Sequence, residues 1–305
     1  MCLVVIRKTG KGPTKPTLLK HFHVTDLPVV TPIRIMRALG QIPHPGSHRP
    51  DNDVARIRPA GAGRETLITF NIARWHAWAP GLASVDDWRQ WSRHPTLLET
   101  SDEAPDVSFL PAMQRRRLGR MARMAFAVGW PLTEGYGRVP LVFVSRHGET
   151  PRTFDILRDL AAEEPLSPTQ FSLSVHNAVI GLWSIMRGET SEMTALAAAG
   201  DGLENGAFEA AALLAEGAEA VLLVVTEEQP PQAYAQWIDD VPFPYAVGLL
   251  LTPGNEWELS LHSDTQGIPQ TRWPHALSLL QALHTNQSAC LHPWNNRLWN
   301  WQRNH

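Results

Sequence analysis

Cysteine is almost missing from this 305-residue chain. Cys2 and Cys290 stand at opposite ends, with no metal-ligand spacing and no further cysteines to build a disulfide framework. That excludes a disulfide-stapled secreted domain and points to a reducing, cytoplasmic setting. No run of 18 apolar residues occurs, so no membrane span is expected, and the apolar start "MCLVVI" is too short for a signal peptide. Lysine is absent after Lys20. Residues 1–64 carry 11 Lys and Arg against 3 Asp, whereas the remainder holds 16 Arg and 27 acids. The basic segment is rich in proline ("KGPTKPT", "IPHPGSHRP") and shows no sustained periodicity. It would bury too little apolar surface to offset its ordering entropy, so residues 1–66 are expected to form a disordered leader. A nucleic-acid-binding arm is the competing reading of those charges, and no nucleic acid partner is expected.

What is present begins near Leu67. "LITFNIARWHAWAP" has the composition of an opening strand, and Ser84 to Asp87 form a capping box before "WRQW". "PAMQRRRLGRMARMAFAVGW" is expected to be one helix, with Leu110, Met113, Leu118, Met121, Ala125 and Val128 on its apolar stripe. The arginines at 115–123 are then its solvated face, although they also suit an acidic partner. A buried strand "VPLVFVS", a helix "TPRTFDILRDLAAE" and a loop-plus-helix "SPTQFSLSVHNAVIGLWSIMRG" follow. Next comes "TALAAAGDGLENGAFEAAALLAEGAEAVLLV", a strand–helix–strand unit whose corner is Ala199-Gly200-Asp201. "YAVGLLLTP" and "WELSLHS" are expected to be two strands of a hairpin. Strands alternating with helices indicate an α/β domain.

Two sets of residues invite a chemical reading. "LVFVSRHGET" delivers Arg146, His147 and Gly148 from the end of a strand, which resembles the entry to histidine phosphatases and phosphoglycerate mutases. There a histidine takes the phosphoryl group and an arginine holds its oxygens. The motif stands some 75 folded residues too late, however, and neither His176 nor His262 lies in the context of the second histidine. The strand-to-helix corner is the other set. Corners of this kind present nucleophiles, yet this one contains no Ser, Cys or Thr. Nothing in the chain has cofactor or metal-ligand spacing, and none is expected.

Residues 167–226 resemble the N-terminal half of β-ketoacyl synthases, the condensing enzymes of the thiolase-like fold. Ser167-Pro168, Asn177, Gly181 and Gly188 stand where that family has them, and the strand–helix–strand unit follows the synthase pattern without a gap. The resemblance covers roughly residues 68–252. It implies an α/β fold made of the N-terminal half only, layered αβα around a mixed sheet. The domain would span 67–265, and residues 266–305 would form a helical, Trp-rich tail. It also places the family's nucleophilic cysteine on Gly200. The two histidine motifs that stabilise the enolate in synthases do not occur, since His275, His284 and His292 lie in "PHAL", "ALHTN" and "LHPW".

The likeness extends to the shortened, synthase-like chain-length factors of aryl polyene (type II polyketide-like) biosynthesis. It implies a non-catalytic partner of a full-length ketosynthase that helps shape the acyl tunnel and meets an acyl carrier protein only indirectly. Gln170, Phe171, Leu173 and Val175 would line that tunnel or its interface. Thr194 and Ala197, on an uncharged strand "MTALAA", would pair across the dimer axis.

Overall fold

The computed structural model describes residues 6–8, 58–59, 66–99, 101–262 and 268–304. Most of the expected leader lies outside these residues. The two pieces described are short strands, β1 (Ile6–Lys8) and β2 (Arg58–Pro59). The chain continues through β3 (Thr66–Trp78), α1 (Val85–Arg93), α2 (Ala112–Arg115), α3 (Arg120–Leu132), β4 (Leu141–Val144), α4 (Thr150–Ala161), α5 (Pro168–Ser172) and α6 (Ala178–Arg187). It then forms β5 (Met193–Leu196), α7 (Gly202–Ala215), β6 (Val221–Glu227), β7 (Tyr245–His262), α8 (His275–His284), β8 (Ala289–Trp294) and β9 (Arg297–Arg303).

One mixed sheet runs in the order β1-β5-β4-β6-β7-β3-β2. Its centre, β5-β4-β6, is parallel, and the other pairings are antiparallel. Helices cover both faces, as expected of a parallel centre. One core joins α7 and α8 to the sheet through residues such as Leu203, Ala207, Leu223 and Leu280, and the other joins α3 and α6 through Met124, Phe126, Trp183 and Leu222. The layered αβα architecture with a mixed sheet is therefore the observed one. No helix among the described residues is long and apolar enough to cross a membrane.

Three local expectations change. The single helix over 111–130 is broken, because Gly119 is extended (ψ 171°) and caps the start of α3, leaving α2 as one turn and Met113 71% exposed. Pro253-Gly254 does not turn a hairpin. β7 runs on through it beside β3, and the register slips between Phe70 and Asn71. The Asn71 side chain fills that irregularity: its Nδ2 donates to the Pro253 carbonyl (3.4 Å) and its Oδ1 accepts from Glu256 N–H (3.0 Å). A side chain on Gly254 would collide with it.

The tail is the third change. It is helical only over α8, and then β8 and β9 form a hairpin that extends the sheet along the second half of β7. Asn295, at φ 51°, makes the tight connection, a conformation asparagine tolerates better than most residues.

Candidate functional site

The strand–helix corner sits at the carboxyl ends of β4, β5 and β6, where open α/β sheets place their ligand crevices. α7 is buried along nearly its whole length. Its small residues make this possible. Any side chain at Gly206 would run into Leu223 and Val144, and one at Gly202 into Val144. A cavity of about 340 Å³ opens beside the corner, lined by Val144, Ala198, Gly200, Glu227, Tyr245 and Trp273, among others.

Gly200 occupies the corner without a reactive atom. The six-membered ring of Trp294, at the end of β8, lies where its Cβ would be. Arg146 sits 5.9 Å above the same indole. The only cysteine among the described residues is Cys290, and burial pushes its thiol up to about 12, so it supplies no thiolate near neutrality.

Asp201 caps the start of α7 and is fully buried. Its Oδ2 accepts from the Arg297 guanidinium (2.9 Å) and from Trp299 Nε1 (3.1 Å). Burial raises its carboxyl above the usual range against the pull of Arg297. One turn on, Glu204 is also fully buried. Its Oε2 lies 2.9 Å from His275 Nδ1, and its Oε1 lies 2.7 Å from His292 Nδ1 and accepts from Trp301 Nε1 at 3.1 Å. Burial alone would push Glu204 up, but the two imidazoles outweigh it and hold the carboxyl well below its ordinary value. Burial lowers both histidines, yet the Glu204 charge wins at His275 and raises it, whereas His292 stays lowered. Within the cluster Glu204 is held as a carboxylate, and His275 keeps its proton more readily than His292 does.

Sequence reasoning missed this cluster. His275 and His292 lie outside any synthase histidine motif, and Glu204 carries no motif at all. The three ligand atoms lie within 4.8 Å of one another, the separation of a metal site. The ring geometry argues otherwise. The His275 and His292 rings are stacked, 4.6 Å apart and tilted by 26°, and both Nδ1 atoms are already bonded to the Glu204 carboxylate. The set reads as a hydrogen-bonded clamp joining α7, α8 and β8.

Arg146 and His147 do not assemble a phosphatase site. Asp240 takes both, through Arg146 (2.6 Å) and His147 Nε2 (2.9 Å), so a phosphate there would face a carboxylate. Beneath them, Glu227 accepts from Ser145 Oγ (3.0 Å), His147 N–H (3.3 Å) and Arg146 N–H, and burial raises its carboxyl to about 7. His176 bonds the Ser145 carbonyl (2.8 Å), and His262 contacts Ser260 on β7.

The residues expected at a tunnel or interface lie apart from the cavity. Phe171 is 65% exposed, Val175 and Gln170 are exposed, and Leu173 is half-buried. Gln170 accepts from Arg152 of α4. The Thr194 side chain is buried, and its hydroxyl donates to Glu209 (3.0 Å). Ala197 is half-buried just past β5. The β5 edge, expected to pair across a dimer axis, is taken in this structure by this chain's own β1, running antiparallel.

The family profile described as beta-ketoacyl synthase, N-terminal domain, matches residues 88–302. No curated protein matches the chain. Among solved structures, one chain from the complex of a ketosynthase with its chain length factor, from Xenorhabdus doucetiae, is similar at 32% identity and a TM-score of 0.69. The likeness covers 77% of this chain and 99% of that one.

Proposed function

Because the chain belongs to the β-ketoacyl synthase family through its N-terminal domain, we propose that it is a non-catalytic, chain-length-factor-type subunit of aryl polyene synthesis, paired with a full-length ketosynthase. One observation carries the non-catalytic part. The family's corner is kept, and Gly200 with the Trp294 ring against it stands where a nucleophilic side chain would project. Both histidines near that corner are committed through Nδ1 to Glu204 within a buried cluster, which supports a structural role for them.

The surface supports a partner. α4 is a twelve-residue amphipathic helix with no buried residue, and α5 has none either. Leu157, Leu160, Leu166, Phe171 and Val175 form an apolar stretch on this surface, more than an isolated monomer ordinarily exposes in one segment. The ketosynthase covers it, and the paired subunits wall the tunnel for the growing chain. Co-expression with the ketosynthase tests this. The unaltered chain should co-purify at equal stoichiometry, and Phe171→Asp with Val175→Asp should abolish co-purification while leaving the fold intact by circular dichroism. A complex that survives both charges places the interface elsewhere.

A further inference from the structure

The cavity beside the corner shares no residue with the surface assigned to the ketosynthase. At about 340 Å³ it stands at the small end of the range for small-molecule pockets, about 300–1,000 Å³. Val144, Ala198 and Leu203 give it apolar walls, and two indoles, Trp273 and Trp294, complete them. Trp273 is held firmly. It is 5% exposed, and its ring packs on Trp91 (5.1 Å between centroids) and Phe243 (6.0 Å). Fixed indole faces suit a flat ring, which they meet by offset stacking or edge-to-face contact.

The polar groups of the lining are unevenly committed. Asp240 is engaged by Arg146 and His147, and Glu227 by Ser145 and two backbone N–H groups. Tyr245 is not engaged. It lines the cavity and is 4% exposed, yet its hydroxyl makes no hydrogen bond to any described residue. Burial, and then the Glu227 and Asp240 charges, raise it well above its ordinary value, so it stays a phenol able to donate. A buried hydroxyl left without a partner is costly, and an acceptor entering the cavity removes that cost. Arg272 also lines the cavity. Its guanidinium is exposed, lies over the Trp273 ring (5.1 Å), and has no carboxylate partner among the described residues. Exposed Asp239 shares the lining, which disfavours a ligand with more than one negative charge. We propose that the cavity binds a small planar aromatic monocarboxylic acid, its ring against Trp273 and Trp294, its carboxylate at Arg272 and a further acceptor at the Tyr245 hydroxyl. The ligand is held without a covalent bond, since Gly200 offers no atom to acylate. The proposal does not depend on the pairing with a ketosynthase.

The test is isothermal titration of the purified full-length chain with cinnamate, with para-methoxycinnamate, which adds an ether oxygen opposite the carboxylate, and with cinnamamide as the uncharged control. Both acids should bind with submillimolar Kd, the methoxy acid more tightly, and the amide at least about tenfold more weakly than cinnamate. Arg272→Gln, at an exposed position, should abolish the preference for acid over amide. Tyr245→Phe should abolish the advantage of the methoxy group and leave urea stability unchanged, because the hydroxyl has no bond within the chain to lose. Ala199→Leu, which fills the cavity from its half-buried lining, should abolish binding with the fold intact by circular dichroism. Absence of saturable binding by either acid at millimolar concentration overturns the proposal. So does undiminished acid binding by Arg272→Gln, or binding that survives in folded Ala199→Leu.

Discussion

Placing a cysteine at Gly200, the position we propose for the family's nucleophile, should destabilise the chain and yield no catalyst. A Cβ at Gly200 meets the Cε3, Cζ3 and Cη2 atoms of Trp294, so the new side chain must displace an indole held at the end of the β8–β9 hairpin. Gly200 is not among the residues with positive φ, so the cost is steric rather than conformational. Overpacking of this kind costs about 1–3 kcal/mol. Trp294→Ala alone should cost a comparable amount, about 1–3 kcal/mol, because the indole is only half-buried. The double variant should then fall short of the sum by at least about 1 kcal/mol, since removing the ring removes the clash. Urea unfolding of the four proteins, with m-values compared, gives the cycle. Strict additivity refutes the claim that Trp294 fills the corner. Activity should stay at background in all four. The thiol would sit beside buried Asp201 and near Glu204, whose charges oppose a thiolate, and both neighbouring histidines are engaged.

Glu204→Ala should cost about 3–5 kcal/mol in urea unfolding, because it leaves the buried His275 and His292 Nδ1 atoms and the indole N–H of Trp301 without their carboxylate partner; a loss below about 1 kcal/mol refutes the clamp. Glu227, raised from 4.5 to about 7, keeps a proton in the folded chain that the unfolded chain releases. Its contribution is therefore greatest below about pH 4.5 and falls by about 1.4 kcal/mol per unit as pH rises towards 7, then levels off. Glu227→Gln should remove that slope from the pH series of unfolding free energies, and an unchanged slope contradicts the assignment. A chain beginning at Thr66 should fold and still co-purify with the ketosynthase, although it lacks β1 and β2; insolubility on truncation shows that the leader is part of the body.

Much of the body was legible because local chemistry and global fold agree there. The Ser84–Asp87 capping box forms as the sequence suggests, with Ser84 Oγ accepting from Asp87 N–H (3.1 Å). Gly202, Gly206 and Ala210 recur every four residues, the spacing of a helix approached closely on one side, and Leu223 and Val144 make that approach at the two glycines. Other features depend on the third dimension. Pro253-Gly254 has the composition of a turn, but pairing along β3 and β6 holds β7 extended, and the Asn71 amide absorbs the irregularity. Glu204 meets residues 71 and 88 positions away, a distance at which no periodicity operates. The Asn295-Asn296 dipeptide was the one local signal for the β8–β9 hairpin. The Trp-rich tail masked it by reading as a helix. Trp294 at Gly200 could not be foreseen for the same reason, since that contact exists only once the hairpin folds back over α7.

The central claim is that this chain contributes shape and contacts while its partner contributes the chemistry. The most direct measurement is malonyl-carrier decarboxylation and chain extension by the purified heterodimer in which the ketosynthase's own active-site cysteine has been replaced by alanine. The account predicts that all extension disappears, because Gly200 offers no nucleophile and burial keeps Cys290 protonated, that the heterodimer still forms, and that this chain alone decarboxylates nothing, because it lacks the histidine motifs that stabilise an enolate. Extension that persists with the partner's cysteine gone, or decarboxylation by this chain alone, would show that it carries a catalytic centre of its own.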